Sequence, residues 1–162
     1  MNGLSFSQKY DKSKCRCEAR FMVCEKRSKL YIEPKNLAEI DKIKVDGCLH
    51  KSQTTHKCDY LFVYKQNDHN RKFIFVELKG SDVNTAFAQI KETLTLFKNE
   101  HLLNNVEVRG VIVLNSNPLS SGSLRVEKLK LKKEFKNILH SFDVLTCRPC
   151  TTYDCSTDKL SS

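Results

Sequence analysis

Apolar positions along the chain fall into short runs separated by polar clusters, and each run has a readable period. Ile43 to Leu49 forms a first strand-like run, with Asp46-Gly47 near its middle. Cys58 to Tyr64 forms a second, rich in aromatic and β-branched residues, and Phe73 to Lys79 a third. The polar cluster from Gln66 to Asn70 between the last two reads as a turn. In the third run Phe73 and Phe75 point one way, and Ile74, Val76 and Leu78 the other. A strand apolar on both sides is central in its sheet and covered on both faces, which predicts helices above and below it.

Beyond Gly80 the period changes. Val83, Phe87, Ile90, Leu94 and Phe97 recur at helical spacing, with Ser81 or Asp82 placed to cap the helix. Val106 to Leu114 is a fourth strand, closed by Asn115 to Pro118. A long helix between the third and fourth strands implies a crossover, and hence parallel pairing in the sheet. A Ser/Gly loop at 120–123 leads to a basic helix over about 125–139, with Leu131, Phe135 and Ile138 on one face, and Phe142 to Leu145 suits a short last strand. Upstream, Pro34 followed by Asn36 to Ile40 suggests a short helix or turn. Residues 19–24 fit a strand or a helical turn equally. There are no internal repeats. The order helix, three strands, helix, strand, helix is that of one mixed α/β domain over residues 1–162. Its expected core spans about 33–145, and cysteine-containing segments, 1–32 and 146–162, flank it.

Composition narrows the function classes. The 162 residues are 40% hydrophobic and 29% charged, as in soluble globular proteins. Lys plus Arg number 28 against 19 Asp plus Glu, a net charge of +9 that favours polyanionic partners, nucleic acid before anionic membrane. No apolar run approaches the length of a membrane span, and the opening residues hold no apolar signal region. The expectation is a cytoplasmic protein, not membrane-bound, with reduced thiols.

Chemistry concentrates at the end of the second and third strands. Glu77 and Lys79 are two apart, so both side chains emerge on one face. A hairpin folded symmetrically about Asp68 sets Asp59 directly across from Glu77. Cross-strand neighbours on one face have Cβ atoms roughly 4.5–5.5 Å apart. A slip of one residue would turn Asp59 to the other side. Two facing carboxylates repel one another, and burial makes their ionisation harder. A divalent cation resolves that conflict: Mg²⁺, with Mn²⁺ as its substitute, binds through one or two carboxylates and takes phosphate oxygens in its remaining positions. Lys79 beside it would orient or help deprotonate a metal-bound water, or stabilise developing charge.

An acidic residue on one strand and Glu-x-Lys on the next, followed by a helix, resembles the core of the PD-(D/E)XK nuclease superfamily. The signature is matched by Cys58-Asp59 and Glu77-Leu78-Lys79, with Cys58 where the family often has Pro, and the likeness covers residues 39–114. It implies a restriction endonuclease-like mixed β-sheet flanked by helices (an α-β-β-β-α-β core) and a metal-dependent deoxyribonuclease, an endonuclease in the restriction or resolvase style. Dimers are common among members that cut two strands, which makes a homodimer a partner to test for. Members add an acidic residue from the first helix, for which Glu39 is the best candidate and Asp46 a weaker one. They also add a Gln or Lys from the helix after the motif, for which Gln89 stands.

Two basic stretches, Lys128, Lys130, Lys132, Lys133 and Lys136 on the last helix and Arg16, Arg20, Lys26, Arg27 and Lys29 near the start, suit contact with DNA phosphates. Of the eight cysteines, Cys48 and Cys58 lie in apolar runs and read as small core residues. Cys147-x-x-Cys150 with Cys15-x-Cys17 would make a structural Zn²⁺ site stapling the two ends of the chain; the alternative is free thiols. Three functions stay open: a Mg²⁺-dependent nuclease, a non-catalytic nucleic-acid-binding or assembly module on the same fold, and a zinc-stapled interaction domain.

Overall fold

The computed structural model describes residues 15–17, 22–25, 28–33, 40–51, 54–65, 71–115, 121–146, 151–154 and 159–161. The elements in chain order are β1 (Arg16–Cys17), β2 (Met22–Glu25), β3 (Ser28–Glu33), β4 (Ile40–Lys44), β5 (Tyr60–Lys65) and β6 (Arg71–Lys79). They continue with α1 (Val83–Asn99), β7 (Val106–Leu114), α2 (Ser121–Glu134), β8 (Leu139–Thr146), β9 (Thr151–Asp154) and β10 (Lys159–Ser161). A six-stranded mixed sheet has the order β1-β4-β5-β6-β7-β8. The β4–β5 and β5–β6 pairs are antiparallel, and the β6–β7 and β7–β8 pairs parallel.

The local causes are those the residues supply. Asp82 caps α1, its carboxylate accepting the Thr85 N–H at 3.1 Å and holding the Thr85 hydroxyl. The α1 stripe Val83, Ala86, Phe87, Ile90, Leu94 and Phe97 is buried against Leu61, Val63, Phe73 and Phe75. Gly110 in β7 lies under the ring of Phe142 from β8. A Cβ there would meet Phe142 Cδ2 at 2.5 Å, so only glycine leaves room for the ring as it is placed.

The other face of the sheet differs from expectation. Helices α1 and α2 both lie on the face of Phe73 and Phe75; opposite them, Ile74, Val76, Leu78 and Phe62 pack against Val23, Leu30, Ile32 and Tyr153. Those four belong to a second sheet, order β10-β9-β3-β2, in which β3 and β9 pair in parallel. Segments expected to flank the core therefore close its second face. A sheet surface serves there as well as a helix, because what a doubly apolar strand requires is burial, not a particular cover.

Other boundaries shift for local reasons. Strand β4 ends at Lys44 instead of running to Leu49, because Gly47 takes φ +71° and the chain turns back, with Leu49 N–H reaching Lys44 O at 3.3 Å. Residues 22–25 settle as a strand. The basic helix is Ser121–Glu134, and Phe135 to Ile138 form turns, with Ile138 N–H on Phe135 O at 2.9 Å. The last expected strand lengthens to Leu139–Thr146. Of the short helix or turn expected from Pro34 to Ile40, residues 34–39 lie outside the described residues, and Ile40 is instead the first residue of β4. No described helix is long and apolar enough to cross a membrane.

Candidate functional site

The site is built on the open end of the β5–β6 hairpin. Tyr60 pairs with Val76 and Leu61 with Phe75, the register expected from a turn symmetric about Asp68. Continued by one residue, it sets Asp59 opposite Glu77. The backbone N–H of Asp59 donates to Glu77 Oε2 at 3.1 Å, and that of Leu78 to Asp59 Oδ2 at 2.8 Å. Strand alternation puts Asp59 on the side of Leu61 and Val63, and Glu77 on the side of Phe73 and Phe75; both sides are the helix-covered face.

Glu77 is 1% exposed. Lys79, the last residue of β6, brings Nζ to 3.8 Å from Glu77 Oε1 and donates to Gln89 Oε1 at 2.9 Å. Gln89 in turn donates through Nε2 to Lys57 O at 2.9 Å. Four of the five expected catalytic residues, Asp59, Glu77, Lys79 and Gln89, are thus gathered at one corner. The fifth, Glu39, lies outside the described residues. Asp46 lies in the turn after β4, and its neighbour Val45 donates to Asp59 O at 3.0 Å.

Thr93 was not singled out in the sequence, yet it fastens this corner. Its hydroxyl accepts the Cys58 N–H at 2.8 Å and donates to Gln89 O at 2.7 Å. The signal for it was a polar residue one turn after Gln89, between Ile90 and Leu94, where a helix buries its flank. Cys58, fully buried, has its thiol pushed well up, chiefly by burial, then by the negative charge of Glu77 and more weakly that of Asp59, against a hydrogen bond with Thr93. It stays a protonated thiol and offers no nucleophile.

The basic helix does not join the corner. Gln89, Glu92 and Thr93 face residues 56–58, whereas Asn84, Ala88 and Lys91 border α2, with Lys91 Nζ 3.0 Å from Glu134 Oε2. Strand β8 lies beyond β7 and carries α2 with it, across α1 from Asp59. Lys132, Lys133 and Lys136 are exposed there; Lys128 is 3.3 Å from Asp143, and Lys130 is 2.7 Å from Glu127. Of the N-terminal cations, Arg16 pairs with Asp41 at 2.7 Å, Lys29 is exposed, and Arg20, Lys26 and Arg27 lie outside the described residues.

The cysteine reading is corrected. Cys15 and Cys48 are joined in a disulfide, so Cys48 is not a reduced core thiol and Cys15 has no thiolate to offer zinc. The bond ties the residue preceding β1 to the turn following β4, which the β1–β4 pairing brings together. Cys17 remains a free, half-buried thiol, and Cys147 and Cys150 lie outside the described residues. Among the described residues no group of three or more His, Cys, Asp or Glu is placed to hold a metal. No protein-family model, curated protein or solved structure matches the chain.

Proposed function

We propose that the chain is a metal-dependent deoxyribonuclease of restriction endonuclease-like fold, an endonuclease that hydrolyses DNA phosphodiester bonds at the corner formed by Asp59, Glu77, Lys79 and Gln89. The observation that carries this reading is the meeting of two carboxylates from adjacent strands with a lysine at the open end of the β5–β6 hairpin. An antiparallel three-strand unit followed by a helix and a parallel strand gives further support.

Two carboxylates are hard oxygen donors of the kind Mg²⁺ or Mn²⁺ takes, and Mg²⁺ fills its other positions with water and substrate phosphate. From the described residues, Asp59 and Glu77 would hold such an ion. When bound, it polarises the phosphoryl group and lowers the pKa of a coordinated water. The chain's own residues do the positioning. Backbone N–H groups of Asp59 and Leu78 hold the two carboxylates in line. Gln89, anchored on Lys57 O, holds the Lys79 ammonium beside Glu77, where it stabilises charge developing on the phosphoryl oxygens.

A second reading has its own observation. Each carboxylate accepts a backbone N–H from the opposite strand, which is also how a purely structural clamp would use them. On that reading the chain is a nucleic-acid-binding or assembly module without activity. Incubating the purified protein with linear, nicked and branched DNA while Mg²⁺ and Mn²⁺ are titrated separates the two. Metal-dependent cleavage supports the nuclease; salt-sensitive binding with no cleavage of any form refutes it.

A further inference from the structure

Gln89 is also the wall of a groove of about 450 Å³, enclosed by the Asp46-Gly47 turn, Lys51 and the Thr55–Lys57 segment. The groove opens beside the catalytic corner: Gln89 reaches Lys79 from one side, and the turn is tied to Asp59 O through Val45 N–H. Its frame is held in place. Cys48 in the turn is bonded to Cys15, the His56 N–H donates to Glu92 Oε2 at 2.7 Å, and Lys57 O accepts from Gln89.

The charges in it are uneven. Lys51 is exposed and has no hydrogen bond or ion pair among the described residues. The ammonium of buried Lys57 lies on Thr55 O at 3.3 Å, and the His56 side chain is exposed. Asp46 is the single acid lining the groove among the described residues. Further along α1 the positive charge ends, since Lys91 is paired with Glu134, and Glu92, whose carboxylate accepts the His56 N–H, adds an acidic side chain. The cationic stretch is therefore one groove long, next to the corner, and on the opposite flank of α1 from the α2 lysines.

We infer that this groove is a phosphate subsite: it takes a backbone phosphate of the nucleic-acid strand adjacent to the bond being cut, with Lys51 as its principal contact. The assignment rests on the nuclease reading of Asp59, Glu77 and Lys79. It also adds a backbone contact beside the chemistry to the two basic stretches, on the last helix and near the start of the chain, that the sequence offers.

Binding of short labelled single-stranded and duplex DNA, followed by fluorescence anisotropy in EDTA over a range of salt, tests it on the full chain. Lys51→Glu should weaken binding about tenfold and reduce the slope of log K against log salt by about 1, with Lys51→Arg restoring both. Lys133→Glu on α2 should change affinity by less than about twofold. Unchanged affinity in Lys51→Glu, an equal loss in Lys133→Glu, or no binding of either DNA form overturns the subsite. The two readings fail separately. Cleavage by the wild type that Lys51→Glu leaves untouched in KM sinks the groove and spares the nuclease. Lys51-dependent binding without cleavage sinks the nuclease and spares the groove.

Discussion

Replacing Lys79 with alanine should cost far more activity than stability. In the folded protein its ammonium makes a hydrogen bond to Gln89 Oε1 at 2.9 Å and an ion pair with Glu77 Oε1 at 3.8 Å. Removing the hydrogen bond costs about 0.5–1.5 kcal/mol, and Gln89 keeps its bond to Lys57 O. Glu77, 1% exposed, loses a cation but keeps the Asp59 N–H. Breaking a wholly buried pair costs about 3–5 kcal/mol. Here the Lys79 side chain is 28% exposed and the pair is long, so solvent screens it and the sum stays near 1–3 kcal/mol. For a chain of this length that is a fall in Tm of roughly 3–10 °C, leaving the protein folded at 25 °C. Activity behaves differently. Taking away a donor aimed at developing charge lowers kcat by about a hundred- to a thousandfold. Thermal melts followed by circular dichroism give the first quantity, and the rate of plasmid nicking at saturating Mg²⁺ the second. If Lys79→Ala cleaves within about threefold of wild type while losing the expected stability, the lysine is a structural partner of Glu77 and the catalytic assignment is wrong.

Three further outcomes follow from the fold. Gly110→Ala should destabilise the protein by about 1–3 kcal/mol in urea unfolding, because its methyl group would collide with the Phe142 ring; a neutral result would mean that β8 yields more readily than its packing suggests. Cys48→Ser should cost about 3–4 kcal/mol, as expected when a crosslink spanning 33 residues is lost from the unfolded chain, and wild type in reducing agent should match it. The raised Cys58 thiol binds its proton more tightly folded than unfolded, so the stability it contributes is intact below the ordinary thiol value of 9.0 and is lost as pH rises above it. Urea midpoints compared between neutral and alkaline pH should show that decline, and Cys58→Ala should remove it.

The residues themselves determined the hairpin and what stands on it. Side chains alternate with a period of two, and Asp68 is the midpoint of the polar run from Gln66 to Asn70 in the sequence, so pairing followed from counting and placed Asp59 opposite Glu77. The α1 stripe was equally legible, since a 3.6-residue period on seventeen residues admits one buried face. Only the tertiary structure decided what covers the second face of the sheet. Strands as short as Met22–Glu25 and Thr151–Asp154 carry little local preference and gain their stability from the surface they close. It also decided the flank taken by the α2 lysines, which depends on the order of strands beyond β7, and the partner of Cys15, which depends on two sulfurs meeting across the β1–β4 pair. Local periods report which way a side chain faces; what it then meets is settled by pairings distant in the chain.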